Sequence, residues 1–249
     1  MSAAPTRSET KPSRATVIGA GFSGLVTAYY LERAGFSVEV FDRASRAGGL
    51  LGTVETPHGI VETAANALLN SPRIEALFAD LGIPLLRPRP ESRARLIFRD
   101  GRPRRWPLGP AASFRVLIFL VRYFFAREAV RPRPAESVAD WGRRNLGSEV
   151  TEFFLHPALQ GIYAGDGEKL SASLILAALF RPRGPRAKFR GSVSAPRGMG
   201  QLVGALRERL ESRGVRFHFQ SERTVENSID RLTVFCGSAR EAAGAMASS

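Results

Sequence analysis

The segment from Ala15 to Thr53 constrains the fold more than any other part of the chain; it reads ATVIGAGFSGLVTAYYLERAGFSVEVFDRASRAGGLLGT. The short apolar run at 15–18 predicts a buried strand, and a G-x-G-x-x-G motif follows it at 19–24. Apolar residues at helical spacing then lead to Gly35, which is typical of a helix end, and a second strand is predicted at 38–41. This order predicts the βαβ unit of a Rossmann-like α/β fold that binds a dinucleotide.

The three motif glycines have separate physical roles. Gly19 permits a tight turn, Gly21 lets the backbone approach a pyrophosphate, and Gly24 allows the helix to pack closely on the strand. The free N–H groups and the dipole at the start of the helix favour an anion. Asp42 ends the second strand 18 residues after Gly24, where a carboxylate can accept hydrogen bonds from a ribose diol and repel a 2′-phosphate. An unphosphorylated ribose is therefore predicted, and a plain βαβ turn with incidental glycines is the alternative.

A glycine pair, Gly48 and Gly49, favours FAD over NAD. The spacing acid-x-x-x-Arg-x-Gly-Gly, with Arg46 before the pair and Thr53 four residues after it, is typical of FAD oxidases. A domain that binds only NAD does not need a second glycine loop near the phosphates, although an ordinary turn stays open as an alternative. The residues expected to contact FAD are Gly19, Ala20, Gly21, Phe22, Ser23, Gly24, Asp42, Arg43, Arg46, Gly48 and Gly49.

The 249 residues suffice for one large domain or two small ones. A stretch rich in proline and arginine at 87–110, with a hairpin predicted around Asp100-Gly101, marks a boundary. The predicted organisation is a disordered polar leader at 1–13, an FAD-binding segment at 14–85, an inserted and mostly helical substrate or membrane subdomain at 86–190, and an incomplete return segment at 191–249.

A strongly apolar helix is predicted over 111–126. Its 16 residues would span about 24 Å, which is shorter than a hydrocarbon core of about 30 Å. Arg115 and Arg122 are seven residues apart and share one face, so the helix could lie in a membrane interface and attract anionic lipid. The alternative is a core helix with two solvated arginines. Because the sequence has no hydrophobic signal-peptide core, we expect a cytoplasmic protein, with peripheral contact to the inner face of the membrane under the first interpretation.

The net charge is +13, and all but three of the 36 basic residues are arginine. Such a charge suits nucleic acid, anionic lipid or a polycarboxylate substrate. The sequence has no basic motif interleaved with aromatic residues, so nucleic acid is not an expected partner. One cysteine and three scattered histidines form no pattern of metal ligands, and no metal site is predicted. The oligomeric state is left open.

Several further stretches are similar to one family. They are GAGFSG at 19–24, the glycine pair at 48–49, RLIFRDGRPRRWPLG at 95–109, ESVADWGRRNLGSEV at 136–150 and GIYAGDGEKLS at 161–171. On these stretches the chain resembles the protoporphyrinogen oxidases, within the amine-oxidase and carotenoid-desaturase superfamily of flavoproteins. The similarity runs from about residue 15 to residue 220. The glycine motif belongs to the whole superfamily, whereas 95–109 and 161–171 favour this branch.

The resemblance implies an FAD enzyme that takes hydrogens from a porphyrinogen in haem synthesis and passes them to oxygen or another acceptor. Protoporphyrinogen and coproporphyrinogen, which bears four carboxylates, are both open as substrates. The flavin carries the chemistry, so the protein would hold the macrocycle and exclude water without a strong acid or base. The family comparison places Gly161 and Asn66 beside the cleft, Leu50 near the flavin, and the backbone of Val225 at the adenine.

Two features differ from the family. The family's Glu-x-Gly-Pro is replaced by Glu62-Thr63-Ala64-Ala65, and alanine has less backbone freedom than glycine. Family members are also nearly twice as long, which predicts either a truncated product or a partner that supplies the remaining part. The alternatives to the porphyrinogen oxidase are therefore another flavoenzyme of the superfamily, such as a desaturase or an amine oxidase, and a non-catalytic remnant that binds FAD or tetrapyrrole.

Overall fold

The computed structural model of the protein describes residues 13–94, 96–163, 165–180, 185–222, 231–238 and 241–242. Of the predicted leader at 1–13, all but Ser13 lies outside these residues. The chain divides into two compact units. Unit 1 comprises residues 1–88 and 185–249, and unit 2 comprises residues 89–184, which lie within the segment 86–190 that the sequence sets apart.

The elements are numbered in chain order. The strands are β1 (Arg14–Ile18), β2 (Ser37–Phe41), β3 (Thr53–Thr56), β4 (Gly59–Glu62), β5 (Leu68–Leu69), β6 (Ile97–Arg99), β7 (Arg102–Arg104), β8 (Ser192–Val193), β9 (Arg216–His218) and β10 (Arg231–Phe235). The helices are α1 (Phe22–Arg33), α2 (Pro72–Asp80), α3 (Pro110–Phe125), α4 (Val138–Leu146), α5 (Ser148–Val150), α6 (His156–Tyr163), α7 (Ala172–Ile175), α8 (Ala177–Phe180) and α9 (Met199–Ser212). Short 3₁₀ turns lie at Pro90–Arg93 and Arg127–Val130, and a π turn at Thr151–Leu155 precedes α6.

Unit 1 is built on a four-stranded parallel sheet with the order β9-β2-β1-β10. In the central pair, Ala15 lies opposite Val38 and Val17 opposite Val40, and all four side chains are buried. Parallel strands need a crossover connection, which α1 provides between β1 and β2. The chain adds strands on one side of β1 and then places β10 on the other side. Doubly wound sheets bind ligands at such a reversal, beyond the carboxyl ends of the strands. The predicted α/β class is confirmed.

Helices α1 and α9 supply much of the hydrophobic core of unit 1. Leu25 and Ala28 of α1 are fully buried, as are Leu202, Leu206 and Leu210 of α9. The three leucines recur every four residues and therefore share one side of their helix. Each buried leucine side chain contributes about 1.5–3 kcal/mol relative to an exposed one. This packing holds the strand ends that form the cofactor site.

Unit 2 is mostly helical, with its core around Trp141 of α4. The indole Nε1 donates to the Val130 carbonyl at 2.7 Å, and the Phe119 ring of α3 meets Trp141 edge-on with centroids 5.5 Å apart. Glu136 and Arg144 form a shielded ion pair at 2.7 Å beside this core. Hydrogen bonds from the Arg144 guanidinium hold the pKa of Glu136 below its usual value.

Helix α3 packs on this core with one side and leaves the other uncovered by any described residue. Ala112 is its one fully buried residue, and Val116, Phe119 and Tyr123 are partly buried. The uncovered side, called the α3 apolar side below, consists of Phe114, Leu117, Ile118, Leu120, Val121, Phe124 and Phe125. One side of the helix thus packs on the core of unit 2, and the choice between a core helix and a membrane-interface helix stays a prediction. Within the described ranges, no helix combines the length and the apolar character needed to cross a membrane.

Two sequence predictions for unit 2 have different outcomes. The hairpin is present as β6 and β7, with Asp100 at φ 53° and Gly101 at φ 74° in its turn. The loop predicted at 161–170 starts later than expected, because Gly161–Tyr163 form the last turn of α6. The π turn passes directly into this helix, and a glycine in a helix costs only about 1 kcal/mol relative to alanine. Gly161 is thus an exposed helical residue.

Candidate cofactor site

The turn between β1 and α1 lies at the point where the sheet changes direction. Gly19 has φ +106°, as the predicted tight turn requires. Its N–H donates to the Phe41 carbonyl at the end of β2, at 2.7 Å. On the other side, the Cys236 N–H donates to the Ile18 carbonyl at 2.7 Å. The ends of β2, β1 and β10 are thus held together around the glycine turn.

The start of α1 has the features of an anion site. A Cβ at position 24 would lie 1.7 Å from the Gly19 carbonyl oxygen, so only glycine lets the helix pack this closely on the turn. Gly21 is the N-cap residue and has no side chain that could cap the first turn, which begins with Phe22 and Ser23. The first N–H groups of a helix have no partner within the helix, and together with the dipole they favour a phosphate.

The glycine pair packs directly against this turn. The Gly48 N–H donates to the Ala20 carbonyl at 2.8 Å, and Gly21 and Gly48 form an isolated parallel bridge. Gly48 and Gly49 have φ values of +107° and +58°, which side chains rarely allow. A Cβ on Gly49 would lie 3.1 Å from the Gly21 Cα. Two loops without side chains therefore meet backbone to backbone, and we call Gly19, Gly21, Gly24, Gly48 and Gly49 the glycine cradle.

Asp42 lies at the end of β2, and both of its carboxylate oxygens contact these loops. Oδ2 accepts from the Ala20 N–H at 2.6 Å and Oδ1 from the Ala44 N–H at 2.7 Å. The sequence did not predict that this acid closes the glycine turn. Each carboxylate oxygen has a second lone pair, so a ribose hydroxyl can still donate to Asp42. The predicted contact with ribose stays a prediction.

The two arginines of this segment have different surroundings. The Arg46 guanidinium donates to the carbonyls of Ala47, Gly49 and Leu51 at 3.2–3.4 Å and so fixes the shape of the glycine-pair loop. Arg43 is exposed and pairs with Glu241 at 2.9 Å. Hydrogen bonds from the Ser238 backbone and hydroxyl, followed by the charge of Arg43, lower the pKa of Glu241.

A further polar connection, which the sequence did not predict, joins the β3–β4 hairpin to α9. Glu62 accepts from the Met199 N–H at 2.9 Å with one oxygen and from the Thr53 hydroxyl at 2.8 Å with the other. The Gly200 N–H donates to Thr53 Oγ1 at 2.8 Å. Two side chains of the hairpin thus cap the first turn of α9. A signal was present in the acid of the 62–65 stretch and in the Gly-Met turn before α9.

Beside this connection lies a cavity of about 370 Å³. Arg46 and Thr53 belong to its wall, which joins the glycine-pair loop to the hairpin. The lining residues are Arg46, Ala47, Leu51, Gly52, Thr53, Val54, Thr63, Gly200, Val203, Gly204 and Arg207.

The residues present fit the FAD predicted from the sequence. Among the described residues, apart from its chain neighbours, the nearest atom to a Cβ at Gly21 would be the Gly49 Cα at 4.0 Å, so the glycine cradle leaves space where a pyrophosphate is expected. Ala64 replaces a family glycine, but it is not among the described residues with positive φ, so its backbone does not require glycine. Leu50 is 83% exposed and Asn66 is exposed, which leaves both accessible to a cofactor. Val225 lies outside the described residues.

The sequence profile of the flavin containing amine oxidoreductases matches residues 22–246. The chain belongs to this family. FAD, which the glycine pair predicted, is the cofactor of these flavoproteins, and the resemblance to the protoporphyrinogen oxidases is confirmed by the relatives that follow.

Protoporphyrinogen oxidase 2, chloroplastic/mitochondrial, of Arabidopsis thaliana is 29% identical over 215 residues, which cover 81% of this chain and 40% of that protein. Coproporphyrinogen III oxidase of Bacillus subtilis is 26% identical over 176 residues, 62% of this chain and 37% of that protein. The crystal structure of an oxidoreductase from Methanosarcina mazei matches with a TM-score of 0.61 and 17% identity, over 86% of this chain and 53% of that one. The chain thus spans about 40% of the length of the curated relatives and about half of the solved structure.

Proposed function

We propose that this chain is the FAD-binding part of an oxidase that converts a porphyrinogen, protoporphyrinogen IX or coproporphyrinogen III, to the porphyrin in haem synthesis. The observation that carries the proposal is the glycine cradle, which leaves space for a diphosphate in a chain whose curated relatives include oxidases of both porphyrinogens. Flavin oxidoreduction follows from the family, and the porphyrinogen is the step beyond it.

In this proposal the glycine cradle and the first turn of α1 hold the diphosphate of FAD through backbone N–H groups. Asp42 binds the ribose hydroxyls while it keeps the turn closed through the Ala20 and Ala44 N–H groups. Arg46 holds the carbonyls of the glycine-pair loop and so keeps its backbone in place. When bound, FAD supplies the acceptor for hydride from a ring carbon of the substrate. The protein contributes binding, orientation and exclusion of water.

The experiment is flavin reduction with a panel of substrates. The 249-residue chain is purified, reconstituted with FAD and mixed anaerobically with protoporphyrinogen IX, coproporphyrinogen III or the amine putrescine while the visible flavin absorbance is followed. Bleaching by a porphyrinogen and not by the amine supports the proposal. Bleaching by putrescine alone favours an amine oxidase, and bound FAD that no substrate reduces favours a non-catalytic FAD-binding protein.

For unit 2, we propose peripheral binding to an anionic membrane surface through the α3 apolar side. Phe125 is 88% exposed and Phe124 67% exposed, and large uncovered apolar patches on proteins mark contacts with partners or membranes. Arg115 and Arg122 lie on one flank of the same helix, where they can meet lipid phosphates. Trp106 is half exposed nearby and donates its Nε1 to Ser113 at 2.8 Å, which suits an aromatic residue at a membrane interface.

The test is sedimentation with phosphatidylglycerol vesicles. Each basic residue near an anionic surface contributes about 1 kcal/mol, so Arg115→Glu/Arg122→Glu should reduce the pelleted fraction strongly. The matched control, Arg197→Glu/Arg213→Glu, reverses two exposed charges of unit 1 and should pellet like wild type. Equal pelleting of both double variants would overturn this membrane proposal.

A further inference from the structure

Unit 1 has a second cavity, of about 560 Å³, apart from the glycine cradle. Small-molecule sites usually have volumes of roughly 300–1,000 Å³. The wall is formed by the end of β5 with Leu69 and Asn70, and by the segment 186–191. Leu69 is 79% exposed, so part of the wall is an apolar surface open to a ligand.

Three exposed cations lie along the segment 186–191. Exposure alternates along it: Arg186, Lys188 and Arg190 are exposed, whereas Ala187 and Phe189 between them are half-buried. We call these three residues the basic triad. Among the residues that the structure describes, no carboxylate lies within 4 Å of their charged groups.

The backbone of this segment is held in place by groups other than the triad side chains. Glu75 accepts from the Lys188 N–H at 2.9 Å and from Asn70 Nδ2 at 2.8 Å. Asn70 also donates to the carbonyls of Phe189, at 3.0 Å from Nδ2, and of Gly191, at 2.8 Å from its N–H. The carboxylate of Glu75 thus holds the backbone, and the positive charges of the triad stay available.

An aromatic surface completes the cavity. The half-buried ring of Phe189 carries the Arg87 guanidinium, whose carbon lies 3.8 Å from the ring centroid. Exposed Leu69 and half-buried Phe189 thus lie along the same cavity wall as three exposed cations. The matching ligand is an amphipathic molecule with apolar rings and several carboxylates.

We propose that the basic triad binds carboxylates of the porphyrinogen substrate and favours coproporphyrinogen, with four carboxylates, over protoporphyrinogen, with two. The inference rests on the proposed function for the identity of the substrate, while the cavity and its charges are independent of it. Arg186, Lys188 and Arg190 are then residues that determine specificity, because a ligand with more carboxylates can pair with more of the three cations.

The test measures binding of stable, fluorescent porphyrins to the 249-residue chain. The probes are coproporphyrin III, protoporphyrin IX and the uncharged tetramethyl ester of coproporphyrin III. Exposed ion pairs are individually weak, so the triple variant R186Q/K188Q/R190Q should bind coproporphyrin III about tenfold more weakly than wild type. Its affinity for the ester should not change, and the difference between wild type and variant should shrink at high salt.

The matched control is R14Q/R197Q/R213Q, which removes the same charge from exposed arginines elsewhere on unit 1. It should bind coproporphyrin III like wild type, and both triple variants should retain the wild-type melting temperature. The inference is overturned if the two triple variants bind coproporphyrin III equally, or if the ester binds to wild type as tightly as the free acid. It is also overturned if R186Q/K188Q/R190Q no longer binds phosphatidylglycerol vesicles but still binds coproporphyrin III like wild type.

Turnover separates this inference from the proposed function. If wild type binds coproporphyrin III through the triad and no porphyrinogen reduces its flavin, the triad site stands and the oxidase proposal fails. If porphyrinogens reduce the flavin with the same KM in wild type and in R186Q/K188Q/R190Q, the oxidase proposal stands and the triad inference fails.

Discussion

The substitution Gly21→Ala tests the contribution of position 21 to FAD binding separately from its contribution to folding. Gly21 has φ −65° and ψ 174°, which alanine adopts without strain. Apart from its chain neighbours, a Cβ there would meet the Gly49 Cα first among the described residues, at 4.0 Å, which is an ordinary contact. Replacing glycine by alanine at a compatible position stabilises a protein by about 0.4–1 kcal/mol, and the poorer N-cap costs about as much. We therefore expect apo Gly21→Ala to melt within about 2–4 °C of wild type.

The same methyl group fills the space that the glycine cradle leaves for the pyrophosphate. The loss of one hydrogen bond to a charged group costs about 1.5–3 kcal/mol, so the affinity for FAD should fall roughly 10- to 150-fold. The larger Gly21→Val should abolish FAD retention. The assay is titration of FAD fluorescence, with thermal unfolding of the apo protein in parallel.

Gly24→Ala is the comparison variant for folding. Its Cβ would lie 1.7 Å from the Gly19 carbonyl oxygen, so the helix must move and the apo protein itself should lose stability. If Gly21→Ala folds normally and binds FAD as tightly as wild type, the pyrophosphate does not occupy the cradle and the site assignment is refuted.

Three further variants test other contacts. Asp42→Ala should weaken FAD binding by about 1.5–3 kcal/mol and lower the apo melting temperature, because two backbone N–H groups lose their acceptor; no change in either measurement would contradict this role. Glu62→Ala uncaps α9 and should cost about 0.5–2 kcal/mol in thermal unfolding, whereas Glu55→Ala, on the exposed part of the same hairpin, should cost little. The pKa of Glu136 is lowered in the folded state, so its pair with arginine stabilises the protein above the ordinary value near 4.5, and this contribution is lost as the pH falls below it. Urea midpoints at pH 6 and pH 4 should therefore differ more for wild type than for Glu136→Gln, and equal differences would show that the pair is not linked to folding.

Much of the glycine cradle could be predicted because its contacts are local. The β1 strand, the turn at Gly19, the helix and Asp42 lie within about thirty residues, and the positive φ of such a turn requires the backbone freedom of glycine. The spacing of Gly48 and Gly49 from Asp42 also predicted that a second glycine loop would lie near the first. The structure brings the two into backbone contact.

Contacts between distant segments could not be read from local pattern. Glu62 caps helix α9, which begins 137 residues later. Asp42 accepts hydrogen bonds with both carboxylate oxygens, from the N–H groups of Ala20 in the glycine turn and of Ala44. The sequence left α3 with two interpretations, because the same apolar residues suit a core helix or a surface one. The structure shows which side of α3 packs on Trp141, and the α3 apolar side is the opposite, exposed side.

The sequence by itself determined that a βαβ unit with glycines at 19, 21 and 24 forms and that an acid follows it, since these features depend on backbone sterics and on helical and strand periodicity. The tertiary structure decided where β9 and β10 join the sheet, what Glu62 contacts, and which cations line the second cavity. Those outcomes depend on how buried side chains from distant segments fill one core, which is a property of the whole chain and of no single motif.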